Sequence, residues 1–465
     1  MSKLKPTIGI EVHVELLTKA KAFSGAINAY GDKPNTNITP ICLAMPGTLP
    51  TLNKEIIELG LRASLVLNCQ ISKVMHFDRK SYFYPDNPKG YQLTQDATPI
   101  GYDGYVELDN GVKIKLERVH LEEDTAKSIH EGDKTLLNFN RAGVPLIEIV
   151  SAPVIKSSAD AMNYLEKLRE TLFYAGISDM KMEEGSMRCD VNISLSDNDS
   201  LGTKVEIKNI GSIKMAGRAI DLEIARQTKL LAAGETIVSE TLRYDDAKKD
   251  NVKMRSKAVD DAFINFPEPD IPSLTITDEW IREVKDNMPL LPNEIRKKLS
   301  DHGINENNIK ALINDRDLLG VILDNDFRDP RIAANLLISE IKAYKNIHSK
   351  DFAELISLDD FSLIVNHLQA GEINNNQVKT ILNQVIEQNG NCESLIAELV
   401  NNTKELDIDM IITEVIKNNQ ESVNDFKAGK DRAIKHLMGQ VMKETKGAIN
   451  PKDAKDKLLM RLEKL

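Results

Sequence analysis

The sequence predicts an α+β protein: a first domain of mostly antiparallel sheets carrying a few helices, followed by all-α helical and tail domains. Three observations predict it. Up to about Pro272, short apolar segments alternate with polar residues at period two and are punctuated by Gly, Pro and Asn. Three longer stretches in that part carry apolar residues at helical spacing instead. Beyond it, glycine becomes scarce and one helical run follows another. At 465 residues the chain is too long for one ordinary core.

The first strand places Ile8, Ile10, Val12, Val14 and Leu16 on one face and Glu11, His13 and Glu15 on the other. Residues 54–68 follow as a helix, with Ile56, Ile57, Leu59, Leu61, Leu65 and Val66 facing a core. Residues 144–150, VPLIEIV, read as an apolar strand interrupted only by Glu148, a carboxylate that is costly to bury unless a metal or cation meets it. A second helix spans 158–175, carrying Met162, Leu165, Leu168 and Leu172. In 188–195, Cys189, Val191, Ile193 and Leu195 alternate with Arg188, Asp190, Asn192 and Ser194. In 203–209, Val205 and Ile207 alternate with Lys204, Glu206 and Lys208. A third helix over 215–232 stops before Gly234. Composition shifts around FPEPDIPSL and MPLLPNEIRKK, and more weakly near NNTKELDIDM, so the expected domains are 1–290, 291–405 and 406–465.

A chain that is 41% hydrophobic and 28% charged is globular and not disordered. No apolar run approaches the roughly 20 residues needed to span a bilayer. MSKLKPTIGIEVHVEL enters a strand at once, leaving no room for a signal or transit peptide, so a cytoplasmic location is expected. Cys42, Cys69, Cys189 and Cys392 form no CxxC pair, which indicates neither a disulfide framework nor a zinc knuckle. The net charge of −11 argues against nucleic acid, but from Lys427 onward 11 basic side chains stand against 5 acidic ones, a net +6. An acidic body with a basic tail can hold a polyanion by one end; a solvated helical tail is the plainer alternative.

The stretch ERVHLEEDTAK adds His120, Glu122, Glu123 and Asp124 to the acidic strand faces. Carboxylates converging on one face are what an oxygen-preferring cation such as Mg²⁺ requires. For His13 three roles stay open: metal ligand, orienter of a carboxylate, or proton carrier. There is no GxxxxGK[ST] loop and no GxGxxG, so bound ATP would rely on cationic side chains. The candidates are Arg79, Lys80, Lys89, Arg141, Arg188, Lys204, Lys208 and Arg255. Phe77, Tyr82, Phe83, Tyr84 and Tyr91 cluster beside Arg79 and Lys80, either to stack a base or to pack a core.

The segments IGIEVHVEL, HFDRKSYFYPDNPKGYQLTQ, HLEEDTAKSIH, NRAGVPLIEIVSAP, MEEGSMRCDVNIS, GTKVEIKN and FPEPDIP occur in this order. Together with the tail text GKDRAIKHLMGQVMKETKGAINP they resemble the B subunits of the aspartyl/glutamyl-tRNA amidotransferases, the GatB family, over nearly the whole chain. The resemblance implies a cradle-like catalytic domain related to glutamine synthetase and the guanidino kinases, a helical domain, and a small tail that touches tRNA. It also implies a heterotrimer with an amidase-type A subunit and a small C subunit. ATP would phosphorylate the side-chain carboxylate of Glu-tRNA(Gln) or Asp-tRNA(Asn), and ammonia would displace the phosphate.

On that reading Glu11, His13, Glu122, Glu123 and Glu148 hold Mg²⁺ directly or through water. Arg79, Lys80, Arg141 and Lys204 offset phosphate charge. Asp190, Glu206 and Lys208 complete the pocket, or Asp190 and Glu206 instead guide or deprotonate ammonium arriving from the partner. The sequence departs from the family twice. Some members carry zinc on a C-x-C and a C-x-x-C; the matching places here hold Ser24, Ala26, Thr39 and Cys42, so no structural zinc is expected. The family's YRYFPEPD stands here as Phe263-Ile264-Asn265-FPEPD, which puts any substrate contact from that segment in doubt and leaves FPEPD as a Pro-fixed turn.

Overall fold

Alternating aliphatic and polar residues make Lys5–Glu15 an eleven-residue strand, β1, and it lies at the centre of a ten-stranded sheet. The computed structural model describes residues 4–198, 200–256, 263–404, 407–427, 430–445 and 451–462. The elements that position the site, in chain order, are α1 (Lys54–Val66), β2 (Asp78–Ser81), β3 (Tyr91–Thr94), β4 (Lys113–Glu123), β5 (Pro145–Ser151), α2 (Ser158–Tyr174), β6 (Met187–Ser196), β7 (Val205–Ile210), α3 (Ile213–Ala232), β8 (Glu240–Asp245), β9 (Asp250–Ser256) and β10 (Ile264–Pro267). The large sheet runs β9-β8-β7-β6-β1-β5-β4 and ends in the short strands Gly101–Tyr102 and Gln70–Ile71. All the pairings along it are antiparallel except β7 with β8, where α3 makes the crossover that a parallel pair requires.

Period two sends one face of this sheet into the core. Ile8, Ile10, Val12 and Val14 are fully buried with Ile147, Ile149, Val119, Leu121, Val191 and Ile193. α1 packs on β4 and α3 on β6, while α2 packs on α3. Each helix starts on a side-chain cap, Asn53, Ser157 and Ser212 respectively. α3 stops at Gly234, whose φ of +75° suits a left-handed helix end. Burying each of these aliphatic side chains contributes about 1.5–3 kcal/mol. That face therefore holds the sheet together while the other gathers charges that would not stay assembled by themselves.

A separate three-stranded sheet, β10-β2-β3, carries the FPEPD segment. The chain divides into two compact units between Pro292 and Asn293. Every described regular element of the second unit is helical. Phe361 anchors one part of that unit, edge-on to Phe352 and Phe327. Its last helices enclose a further cluster in which Ile412, Val415 and Ile416 meet Leu437, Val441 and Leu458. No described helix is long and apolar enough to cross a membrane, and all four cysteines are unpaired.

Candidate active site

Pairing register brings the polar strand faces together. β1 lies between β5 and β6, so His13 stands opposite Glu148 on one side and Arg188 on the other. Glu148 in turn stands opposite His120 of β4, giving a row Arg188–His13–Glu148–His120 across four strands. Cross-strand partners share a face, which makes this row a direct product of register. Glu122, two residues along β4 from His120, joins it from the side.

The His13 Nε2 lies 3.4 Å from Glu148 Oε2 and 3.6 Å from Glu122 Oε1. One ligand atom from each residue of this trio lies within 4.8 Å of the others. Ligands about 2.1 Å from a shared Mg²⁺ in octahedral geometry stand roughly 3–4.2 Å apart, and both carboxylates lie within that range of the His13 Nε2. Burial alone would lower the His13 pKa, but its hydrogen bond to Glu148 and the charges of Glu122 and Glu148 outweigh this and raise it to about 9. Burial raises the Glu122 carboxyl above its usual range. Burial acts the same way on Glu148, yet the two imidazoles beside it hold it well below the usual range.

A second acidic group adjoins the first. Glu11 stands opposite Asp190, and with Glu206 these carboxylates offer oxygens within 4.8 Å of one another. Glu11 accepts from Asn192 Nδ2 at 2.8 Å, and Glu206 from Thr241 Oγ1 at 3.1 Å. Glu11 and His13 are two residues apart on β1, so the two groups are separated by about 7 Å along the strand. The second group already holds a cation: Lys208 Nζ is 2.5 Å from Asp190 and 3.1 Å from Glu206. Burial lowers the Lys208 pKa, but these two carboxylates raise it above normal. Among the described residues the carboxylates of the first group pair with imidazoles and not with a lysine, which is the arrangement that could hold a divalent ion.

Arg188 and Arg141 both bond Asp124, Arg188 at 2.9 Å. Burial raises the Asp124 pKa, but the two guanidinium groups outweigh it and hold the carboxyl below its usual range. This fixes Arg188, the cross-strand partner of His13, and Arg141, whose charge acts on Glu15. A cavity of about 690 Å³ opens here, lined by Tyr30, Arg141, Arg188, Asp190 and Lys208 among others. Lys80 lies with its ammonium 4.7 Å from the Phe263 ring centre, and its charge acts on Glu122. Lys204 is exposed on the residue before β7, with no ion pair to either acidic group among the described residues. The Arg255 side chain lies outside the described residues.

Two expectations are corrected by where the side chains lie. Glu123 does not join the metal-type group, because strand alternation turns it away from Glu122. Its carboxylate instead accepts from the Leu93 amide at 2.9 Å and pairs with Lys89. Arg79 is not free for phosphate: it makes a bidentate pair of 2.6 and 2.8 Å with the fully buried carboxylate of Glu268 and a third bond to Asp270. Tyr91 stacks 4.3 Å from its guanidinium. The FPEPD segment is thus tied down by Arg79, and that pair would have to break before Arg79 could meet a phosphate. Phe83 and Tyr84 are exposed, whereas Phe77 is core.

The places of the family's zinc ligands also meet, with different chemistry. Cys42 Sγ has Ser24 Oγ at 3.3 Å, Thr39 Oγ1 at 3.4 Å and the buried Lys21 Nζ at 3.8 Å. Lys21 also donates to the carbonyls of Ala142, at 2.7 Å, and Phe139, at 3.2 Å. One thiol, two hydroxyls and an ammonium do not make a tetrahedral site of thiolates and imidazoles, so this donor set does not fit zinc. Lys21, and Gln92 beside Glu122, escaped the sequence reading. A buried lysine and a single glutamine carry no periodic signal.

The family model described as the GatB/GatE catalytic domain matches residues 6–282, and the one described as the GatB domain matches residues 317–462. The chain is 41% identical to the B subunit of an aspartyl/glutamyl-tRNA(Asn/Gln) amidotransferase from Bacillus licheniformis, over 98% of each chain. It is 43% identical to the corresponding protein of Geobacillus thermodenitrificans and 42% to that of Clostridium botulinum, each over 96% of both chains. With both family models matched and 41–43% identity over nearly the whole length, the chain belongs to the GatB family of tRNA-dependent amidotransferase B subunits.

Proposed function

We propose that the chain uses ATP to phosphorylate the side-chain carboxylate of Glu-tRNA(Gln), Asp-tRNA(Asn) or both, and then amidates it with ammonia from a glutaminase partner. The products are Gln-tRNA(Gln) and Asn-tRNA(Asn). The observation that carries this reading is the trio His13, Glu122 and Glu148 beside a second carboxylate group on the same sheet face. A carboxylate is a poor electrophile because oxide would have to leave; phosphorylation supplies a leaving group, and positioning and charge neutralisation do the rest.

In the first step a carboxylate oxygen attacks the γ-phosphorus, the bond to the β,γ-bridging oxygen breaks, and ADP leaves. In the second, the ammonia nitrogen attacks the acyl carbon and the C–O bond to phosphate breaks. His13, Glu122 and Glu148 would hold Mg²⁺, which when bound would neutralise phosphate charge. Arg141 and Arg188, fixed by Asp124, and Lys80 add positive charge around the transferred group. Asp190 or Glu206 takes the proton from arriving ammonium, and Lys208 holds both carboxylates in place. The cavity bordered by Tyr30, Arg188 and Lys208 receives the aminoacyl end.

The first domain, 1–290, is then a cradle related to glutamine synthetase and the guanidino kinases. Domain 291–405 is a helical spacer, and the basic tail 406–465 contacts tRNA. The partners are an amidase-type A subunit and a small C subunit in a cytoplasmic heterotrimer. Glu148→Ala in the reconstituted trimer, supplied with free ammonia, tests the reading: phosphoryl transfer to Glu-tRNA(Gln) should collapse. Undiminished turnover rejects it.

A further inference from the structure

We infer that His120 and Gln92 are positioning residues that hold the carboxylates of Glu148 and Glu122 in the orientation a divalent cation needs, and so set the affinity of that site. The inference rests on the cation reading above and goes beyond it in naming residues that support the site without ligating the ion.

Each carboxylate of the trio has a further polar group beside it, Gln92 at Glu122 and His120 at Glu148, and the His120 Nε2 is also 3.9 Å from Glu122 Oε2. Gln92 Nε2 donates to Glu122 Oε2 at 3.1 Å and to the Glu123 backbone carbonyl at 2.6 Å. This fixes one oxygen of Glu122 and leaves Oε1 facing His13. His120 Nε2 lies 3.3 Å from Glu148 Oε2, on the strand flanking Glu148 opposite His13. His120 is only 4% exposed, and its Nδ1 has no hydrogen-bond partner among the described residues. A buried imidazole with one nitrogen unsatisfied carries a cost that an aliphatic side chain of similar size would avoid. What offsets it is the other nitrogen: with no partner at Nδ1 among the described residues, the proton belongs on Nε2, 3.3 Å from Glu148 Oε2. The arrangement matches the general rule that metal-binding carboxylates are themselves hydrogen-bonded by a second layer, and that removing that layer weakens metal binding about 10- to 100-fold.

The full-length chain is titrated with Mn²⁺, with binding followed by calorimetry and by the nitrogen couplings of the bound ion in pulsed electron paramagnetic resonance. His120→Leu and Gln92→Leu should each raise the Mn²⁺ dissociation constant about 10- to 100-fold, with the number of bound ions and the His13 nitrogen coupling unchanged. His120→Gln, whose amide nitrogen can reach the Nε2 position, should recover most of the affinity; His120→Asn, which reaches only the Nδ1 position, should not. That pair keeps the inference testable if His120→Leu fails to fold. Affinities of both leucine variants within twofold of wild type, or Gln and Asn variants that behave alike, would overturn it. So would a second nitrogen coupling in the wild type that disappears with His120, since His120 would then be a ligand. If the wild type and His13→Ala bind Mn²⁺ equally, the cation reading itself has failed, and that result is distinct from the others.

Discussion

The raised pKa of His13 makes cation binding at the trio a competition with a proton. Burial opposes the charged ring, but the hydrogen bond to Glu148 and the Glu122 and Glu148 charges lift the pKa to about 9. At pH 7 the ring is then protonated about a hundredfold over its neutral form, and only the neutral form can ligate an ion. The expected Mn²⁺ dissociation constant falls about tenfold per pH unit from 7 to 9 and levels above that, roughly a hundredfold in all. Calorimetric titration in buffers of different ionisation enthalpy should show close to one proton released per ion at pH 7. Stability of the metal-free chain should move the other way. A folded-state pKa raised above the unfolded value gives stability that is complete below about 6.5 and is lost as pH rises through about 9. The metal-free melting temperature should therefore decline between pH 7 and 10, and the decline should be absent in His13→Asn. An affinity flat from pH 7 to 9, or a slope that survives in His13→Asn, refutes the reasoning.

Other perturbations follow from the same geometry. Arg79→Ala leaves Glu268 buried without its partner and should cost about 3–5 kcal/mol in denaturant unfolding, with little effect on phosphoryl transfer by the folded fraction. Lys208→Met removes the cation from the Glu11, Asp190 and Glu206 group, so a second Mn²⁺ should bind about tenfold or more tighter while amidation slows; an unchanged second affinity would contradict the assignment. For the tail, cutting at Lys427 would split the cluster joining Ile412 and Val415 to Leu437 and Val441, so charge reversal is the better probe. Replacing the exposed Arg432, Lys435 and Lys443 by Glu should weaken tRNA binding and reduce its salt slope by up to about three, against an unchanged melting temperature.

Much of the fold was legible because period two and helical spacing are local. The strand at Lys5–Glu15, the helices beginning near Lys54 and Ser158, and the stop at Gly234 all follow from neighbouring residues. The same periodicity put Glu11 and His13 on a polar face and singled out Glu148 as a charge inside an apolar strand. Misplacing Glu123 came from reading composition where parity should have decided, since consecutive residues of a strand cannot share a face. Arg79 misled for another reason: its partner Glu268 is 189 residues away, and nothing near Arg79 in sequence announces that a buried carboxylate has claimed it.

By itself the sequence determined which strand faces are apolar, which are acidic, and where helices begin and end, because those depend on contacts a few residues apart. Only the tertiary structure decided that β5, β1 and β6 lie side by side, and in which register. That choice set His13 between Glu148 and Arg188 and placed His120 opposite Glu148. A shift of one residue would have turned each of these side chains into the core, and what forbids it is the apolar face that the shift would have exposed to water.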